Sequence, residues 1–342
     1  MSKNIQIIAI ILSICISCSS EPEINIKASI GKYNLANEIN AKISEEHFFQ
    51  DQAIKNINPR LGKAIIKQLD SQKIYFTQNE ILYFTNKFQS SSDNVELAAS
   101  YELINLYFNR LIEATKYQIK VIQKKNFDFS VVENILIDND LQEFRETNID
   151  LREIWTKLAK NDVLTSMLTD KTEDDAVELI SKRYKNRLRR ILQRNEEDVF
   201  SIVMNNLTGL FDPHSSYMSP KSAEDFEMTM SLNLEGIGAL LTTEDDYPII
   251  VSVVPGGPAE KSGKINPDDK IVKVKQIQKV EVDSVDVVGW RIDEVVQLIR
   301  GEAGTQLELE IIPAKTEDLS DRKWVLLTRE EVKLEEQAAK SL

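Results

Sequence analysis

The sequence predicts an α+β protein, a mostly helical N-terminal region followed by a small sheet-rich domain, and two observations carry that reading. From Asn37 to Phe211 the chain has one proline, Pro59, and two glycines, Gly62 and Gly209. Scarcity of the two residues that interrupt helices argues for helix over that span. Beyond Phe211 come Pro213, Pro220, Pro248, Pro255, Pro258, Pro267, Pro313 and most of the glycines, set between the short β-prone runs Ile249–Val254, Ile271–Val274, Leu307–Ile312 and Trp324–Leu327. Such runs with Gly/Pro turns describe short strands.

A chain of 342 residues has room for two or three domains. With 42% hydrophobic and 28% charged residues, a packed core is expected along most of it. The net charge of −13 opposes a polyanionic partner, so nucleic acid is excluded as a binding class. The basic stretch Lys182–Arg194 alternates with apolar residues at helical spacing and reads as a solvated helix face.

At the N-terminus Lys3 precedes an apolar run from Ile5 to Ile16, closed by Ser17, Cys18, Ser19 and Ser20. That is the layout of a secretory signal over residues 1–18, and the run is shorter than the roughly 20 residues a membrane-spanning helix needs. Ile16-Ser17-Cys18 resembles the end of a bacterial lipobox, although Cys15 stands where leucine is usual. The resemblance implies a lipid on Cys18 and a periplasmic, membrane-anchored chain. Simple cleavage and a retained anchor are the alternatives, and all three place the mature chain outside the cytoplasm. Residues 19–36 read as a tether. Cys15 and Cys18 are the only cysteines, so the folded part has no thiol for a disulfide, a metal or nucleophilic attack.

In the helical region, Ala98, Tyr101, Leu103, Ile104, Tyr107, Phe108, Leu111, Ile112 and Thr115 recur at three- and four-residue steps, an apolar stripe on one long helix. Leu151, Ile154, Trp155 and Leu158 form a second stripe. Thr172 caps a third helix whose first turn is acidic, with Ala176, Leu179, Ile180 and Tyr184 on its buried side. These aromatics read as core rather than a ligand cavity.

In the sheet-rich part, Gly236 and Gly238 sit inside an apolar run, Leu234 to Leu241. Glycines allow backbone N–H groups to converge, so Gly236, Ile237, Gly238 and Ala239 are candidates for holding a carboxylate. The following strand, with Leu240 and Leu241, is suited to take an extended peptide as an added strand. On the segment Gly289–Gly301, Ile292, Val296 and Ile299 share one helical face and are assigned to a peptide groove. Val295 and Leu298 are assigned to the core; the alternative is that all five are core.

In this order the pieces resemble a circularly permuted bacterial PDZ domain, with Asp268 where glycine is usual before Asp-x-Ile. Asp212-Pro213-His214-Ser215-Ser216-Tyr217-Met218-Ser219-Pro220 and Met230–Ala239 are similar to the signature entering the PDZ domain of tail-specific (C-terminal processing) proteases. The resemblance extends back through Arg183-Tyr184-Lys185 and Asn195–Phe200 and forward through Gly289-Trp290-Arg291 to Leu327-Thr328-Arg329. It implies a helical N-terminal domain over 37–211, a linker over 212–230, a PDZ-type β-sandwich or barrel with two helices over 231–314, and the start of a protease domain over 315–342.

In that family the PDZ domain captures C-termini of non-native or tagged proteins, and a later domain supplies a serine activated by a lysine kept neutral by burial. No catalytic residue is assigned in this chain. Ser320-Asp321-Arg322-Lys323 reads as a hydrophilic hairpin tip, and His214, with only His47 as company, as part of the linker. No metal or other cofactor is expected. The expected function is substrate recognition for an extracytoplasmic serine endopeptidase, with an adaptor lipoprotein as a possible partner. The alternatives are a non-catalytic peptide-binding lipoprotein acting as adaptor or inhibitor, and a helical scaffold for partner proteins.

Overall fold

A computed structural model describes residues 23–48, 56–89, 94–125, 127–136, 142–168, 171–231, 233–244, 246–277, 283–314, 316 and 321–333. Residues 1–18, where a signal is expected, with Cys18, as well as Ser320 and the residues after Lys333, lie outside these. The chain forms two compact units, Met1–Tyr217 and Met218–Leu342.

The first unit is helical: α1 Ile30–Glu46, α2 Ile57–Leu69, α3 Gln78–Lys87, α4 Leu97–Gln123, α5 Asn148–Met167, α6 Glu173–Leu192 and α7 Glu196–Thr208. Local sequence sets the starts. Thr77 with Glu80, Thr147 with Asp150 and Asn195 with Asp198 form reciprocal capping boxes. Thr172 accepts from the Asp175 N–H, as its position before an acidic turn predicts.

Helix α4 is the spine of this unit. Tyr101, Leu103, Ile104, Phe108, Ile112 and Thr115 of the predicted stripe are buried, whereas Ala98 is exposed and Tyr107 and Leu111 are half-buried. Tyr101, Phe108 and Ile112 share a core with α1, α2, α3 and α7, while Ile122 packs with Val163 and Tyr184, and Ala114 with Trp155. After α2, the buried Asp70 carboxylate accepts from the N–H groups of Ile74, Tyr75 and Phe76 at 2.8, 2.9 and 2.9 Å. This stitches the turn into α3.

Of the tether expected over 19–36, the described residues 23–36 are part of the folded unit. Helix α1 starts at Ile30, and Ile24, Ile26 and Ala28 pack against the core. Alternation of these three with Glu23, Asn25 and Lys27 is a strand-like pattern only a few residues long, too short to stand out beside the long helices.

The second unit comprises α8 Pro220–Ser231, β1 Asn233–Gly236, β2 Ala239–Glu244, β3 Tyr247–Val253, α9 Pro258–Ser262, β4 Lys270–Ile277, β5 Val285–Asp286, α10 Ile292–Ile299, β6 Gln306–Ile312, β7 Lys323–Thr328 and β8 Glu330–Lys333. One antiparallel sheet has the order β2-β3-β4-β6-β7 with β5 beside β4, and β1 pairs with β8. Ile237, Ile250, Ile271, Val295, Leu309 and Val325 lie in its core.

Two boundaries differ from the sequence expectation. The proposed linker contains α8, started by Pro220 and by the Ser219 hydroxyl accepting from the Ser222 N–H at 3.1 Å. The sheet also runs past residue 314: Val325 and Leu327 of β7 enter the core while Trp324 and Leu326 face out. Residues 323–333 therefore complete this unit rather than begin another. Asp268 adopts φ 67, and its N–H donates to the Ile250 carbonyl at 2.7 Å. Aspartate thus makes the left-handed turn usually given to glycine.

Candidate peptide-binding site

Strand β2 stands at the margin of the sheet, paired on one side with β3. The Val254 N–H donates to the Gly238 carbonyl at 2.8 Å, so Ala239, next along and opposite Val253, turns its own N–H and C=O away from β3. A bulge then shifts the register between Leu240 and Leu241. Beyond it Leu241 faces Ile250, whose N–H and C=O are engaged on the far side by Asp269 and Asp268. Thr243 faces Pro248, which has no N–H. The outer edge of β2 thus offers the main-chain groups of Ala239, Leu241 and Thr243, with no strand paired there among the described residues.

Ahead of β2 the loop is fastened through its carbonyls. The Ile237 carbonyl accepts from the Ala259 N–H at 2.8 Å and the Gly238 carbonyl from Val254, while the N–H groups of Ile237 and Gly238 have no partner among the described residues. Gly238 sits at φ +68, and a Cβ there would lie 3.2 Å from the Gly257 Cα. Two glycines are needed for that approach. Gly236 belongs to β1, opposite Glu330 of β8. Of the four residues expected to hold a carboxylate, Ile237 and Gly238 have open amides, Ala239 points along the open edge, and Gly236 is a ladder residue.

Helix α10 packs beside β2. Ile292 and Val296 are half-buried and stand outside the main core cluster. Ala239 and Leu241 share one face of β2, packing on the core edge. Two groove assignments are corrected. Leu240 lies on the opposite face of β2 and is 59% exposed, because adjacent strand residues alternate sides. Ile299, with Val295, is buried in the core, since its position on the helix leans toward the sheet. Leu298 packs against that core, as expected.

The sequence reading missed what holds α10 in place. Buried Arg329 donates through Nε to the Ile299 carbonyl at 2.8 Å, through Nη2 to the Leu298 carbonyl at 3.0 Å and Gln276 Oε1 at 2.7 Å, and through Nη1 to Thr305 Oγ1 at 3.0 Å. At the two ends of α10, Lys221 and Asp225 of α8 form ion pairs with Asp293 at 3.1 Å and Arg300 at 2.6 Å. Burial pushes the Asp293 carboxyl up, but hydrogen bonds from Arg291 and Lys221 outweigh it and hold the group below the usual carboxylate range. An arginine just past a β-prone run was the available signal; its reach across the fold was not.

The residues weighed for catalysis are engaged otherwise. Asp212 accepts from the His214 N–H at 2.6 Å and from the Ser215 hydroxyl at 2.5 Å, and pairs with His47 Nε2 at 2.6 Å. Lys323 Nζ donates to the Lys264 carbonyl at 3.0 Å. Among the described residues no cluster of His, Cys, Asp or Glu has the arrangement of a metal site.

An open edge strand, a helix with half-buried apolar residues beside it and a glycine turn whose two amides have no partner among the described residues are the layout of a domain of the PDZ class. The comparisons agree. A family model of the tail specific protease N-terminal domain matches residues 39–221, and one of the PDZ domain matches residues 226–312. The tail-specific protease of Haemophilus influenzae is 32% identical over 355 residues, covering 99% of this chain and 50% of the relative. The carboxy-terminal processing protease CtpA of Bacillus subtilis is 35% identical over 142 residues, 41% of this chain and 28% of the relative. A solved PDZ domain of a carboxy-terminal protease from Vibrio cholerae, in complex with peptide, is 45% identical, covers 30% of this chain and 99% of its own, and has a TM-score of 0.27.

The chain belongs to the tail-specific protease family, of which it comprises the N-terminal domain and the PDZ domain. It spans half the length of the Haemophilus influenzae relative and less of CtpA.

Proposed function

We propose that this chain captures the free C-termini of other polypeptides and presents them for cleavage by a protease domain of the kind its longer relatives are named for. The observation that carries this is the pair of unused N–H groups on Ile237 and Gly238 at the head of the open β2 edge. A terminal carboxylate accepts from those amides while the preceding residues add along Ala239, Leu241 and Thr243, and an apolar side chain rests between Leu241 and the Ile292–Val296 face. In this reading the chain by itself hydrolyses nothing, so casein stays intact in its presence.

The reading extends to location. A signal over residues 1–18 and a lipid on Cys18 place the chain in the periplasm, held to a membrane. Palmitate labelling that is lost in a Cys18→Ser variant supports the anchor, and labelling that persists refutes it.

For the groove, fluorescence polarisation with an apolar peptide ending in a free carboxylate is expected to give a Kd of about 1–100 μM. The C-terminally amidated peptide is expected to bind at least about tenfold more weakly. Equal binding of the two peptides rules out the carboxylate site.

A further inference from the structure

The segment ahead of α1 runs extended along α4 with one edge in use. Ile24 donates to Asn109 Oδ1 at 2.8 Å and Ile26 to Asn105 Oδ1 at 3.0 Å, and their carbonyls accept from the same two carboxamides at 2.9 and 2.7 Å. The match is geometric: four helical residues rise about 6 Å and two strand residues about 6.6 Å, so asparagines four apart on α4 address alternate residues of an extended chain.

Alternation turns the main-chain groups of the intervening residues the other way. Among the described residues, Glu23, Asn25 and Lys27 form no hydrogen bond or ion pair, and all three are exposed. Ile24, Ile26 and Ala28 meanwhile pack on the core. The result is a fixed extended segment with an edge left bare by the described residues and polar side chains on its solvent face.

We propose that this edge pairs, antiparallel, with the same segment of a second copy of the chain, about a twofold axis at Asn25. The sequence is self-complementary in that register. Asn25 meets Asn25, Glu23 meets Lys27 of the second copy, and Lys27 meets its Glu23. The pairs that carry the unused main-chain groups are the same pairs that carry opposite charges, and directly opposed side chains stand about 5 Å apart at Cβ. A slip by two residues leaves both charges without their partners. The contact is isologous and closes at two copies. A five-residue ribbon buries far less than the roughly 1,200 Å² of a stable dimer, so the association is reversible and concentration-dependent.

The test is sedimentation equilibrium of the full chain in non-ionic detergent, up to about 1 mM. The wild type is expected to form a reversible dimer. K27E sets Glu against Glu and weakens it at least about tenfold, and the double variant E23K/K27E restores it. N25P removes an N–H that has no partner among the described residues, and is expected to abolish pairing without disturbing the fold. A wild type that stays monomeric throughout overturns the proposal, as does K27E associating like the wild type, or a charge swap that stays as weak as the single reversal.

Discussion

The Arg329 guanidinium caps the last turn of the groove helix by donating to the Ile299 carbonyl at 2.8 Å, from a residue outside the segment where the sequence placed the domain's end. The end of a helix leaves carbonyls without intrahelical partners and carries partial negative charge, and an arginine answers both at once. Arg329→Ala strands those acceptors together with Gln276. It is expected to cost about 2–4 kcal/mol in urea unfolding and to lower peptide affinity at least about tenfold. Arg329→Lys recovers only part of this, since one ammonium cannot fork to several acceptors.

Gly238→Ala and Gly256→Ala separate crowding from backbone preference. Both glycines have positive φ, +68 and +75, but only at Gly238 does an added Cβ meet backbone, 3.2 Å from Gly257; Gly256 has nothing within 4 Å. Gly238→Ala is expected to destabilise by about 2–3 kcal/mol and Gly256→Ala by about 1 kcal/mol. Loss of free-acid peptide binding is expected in the first alone, read by polarisation against the amidated control.

The two leucines of β2 give opposite results. Val296→Glu and Leu241→Glu place a carboxylate in the trough and are expected to weaken peptide binding at least about tenfold. Leu240→Glu, on the exposed face, changes it by less than about twofold. Calorimetric titration of the three variants with one peptide decides; a large effect at Leu240 would place the groove on the other face of the strand.

How far the sequence carried this protein depends on the reach of the interaction. Caps were visible because donor and acceptor lie three residues apart: Thr172 and Asp175 are read from the chain directly. Asp268 could be assigned its turn because its conformational tolerance is intrinsic. The groove was legible as a helix face and a strand but not in depth. Ile299 lies between two adjacent faces, and periodicity alone does not say which one meets the sheet. Leu240 follows from strict alternation with Ile237, Ala239 and Leu241 once the strand is fixed. The asparagine grip on residues 24–26 and the Arg329 cap join segments far apart in the chain, and no local pattern announces them.

Asp212 gives a pH signature. Hydrogen bonds from the Ser215 hydroxyl, His47 and the His214 N–H hold its carboxyl well below the usual range. An acid whose folded pKa is depressed contributes stability that is complete above its unfolded value, near 4, and fades as pH falls from there through the folded value. The difference in Tm between wild type and Asp212→Asn is therefore expected to be largest above about pH 5 and to shrink below about pH 4. Thermal melts across that range check it; a gap that widens in acid contradicts the assignment.

Asp70 is the corresponding test in the helical unit. Asp70→Ala leaves three N–H groups of the turn without their acceptor, at a cost of about 2–4 kcal/mol. The expected readout is an earlier helical melt by far-ultraviolet circular dichroism, with peptide affinity retained.

Lys221 and Asp225 hold the groove helix near its two ends, and Arg329 holds its last turn. Each half-exposed ion pair alone is worth about 1 kcal/mol, but three restraints on one short helix fix its position. On the proposed function, an incoming chain end then meets a cleft of preset width and spends little entropy ordering its host. Discrimination among ligands is then expected to fall on how long each stays rather than how fast it arrives, with an oversized terminal side chain turned away instead of being accommodated by a yielding wall.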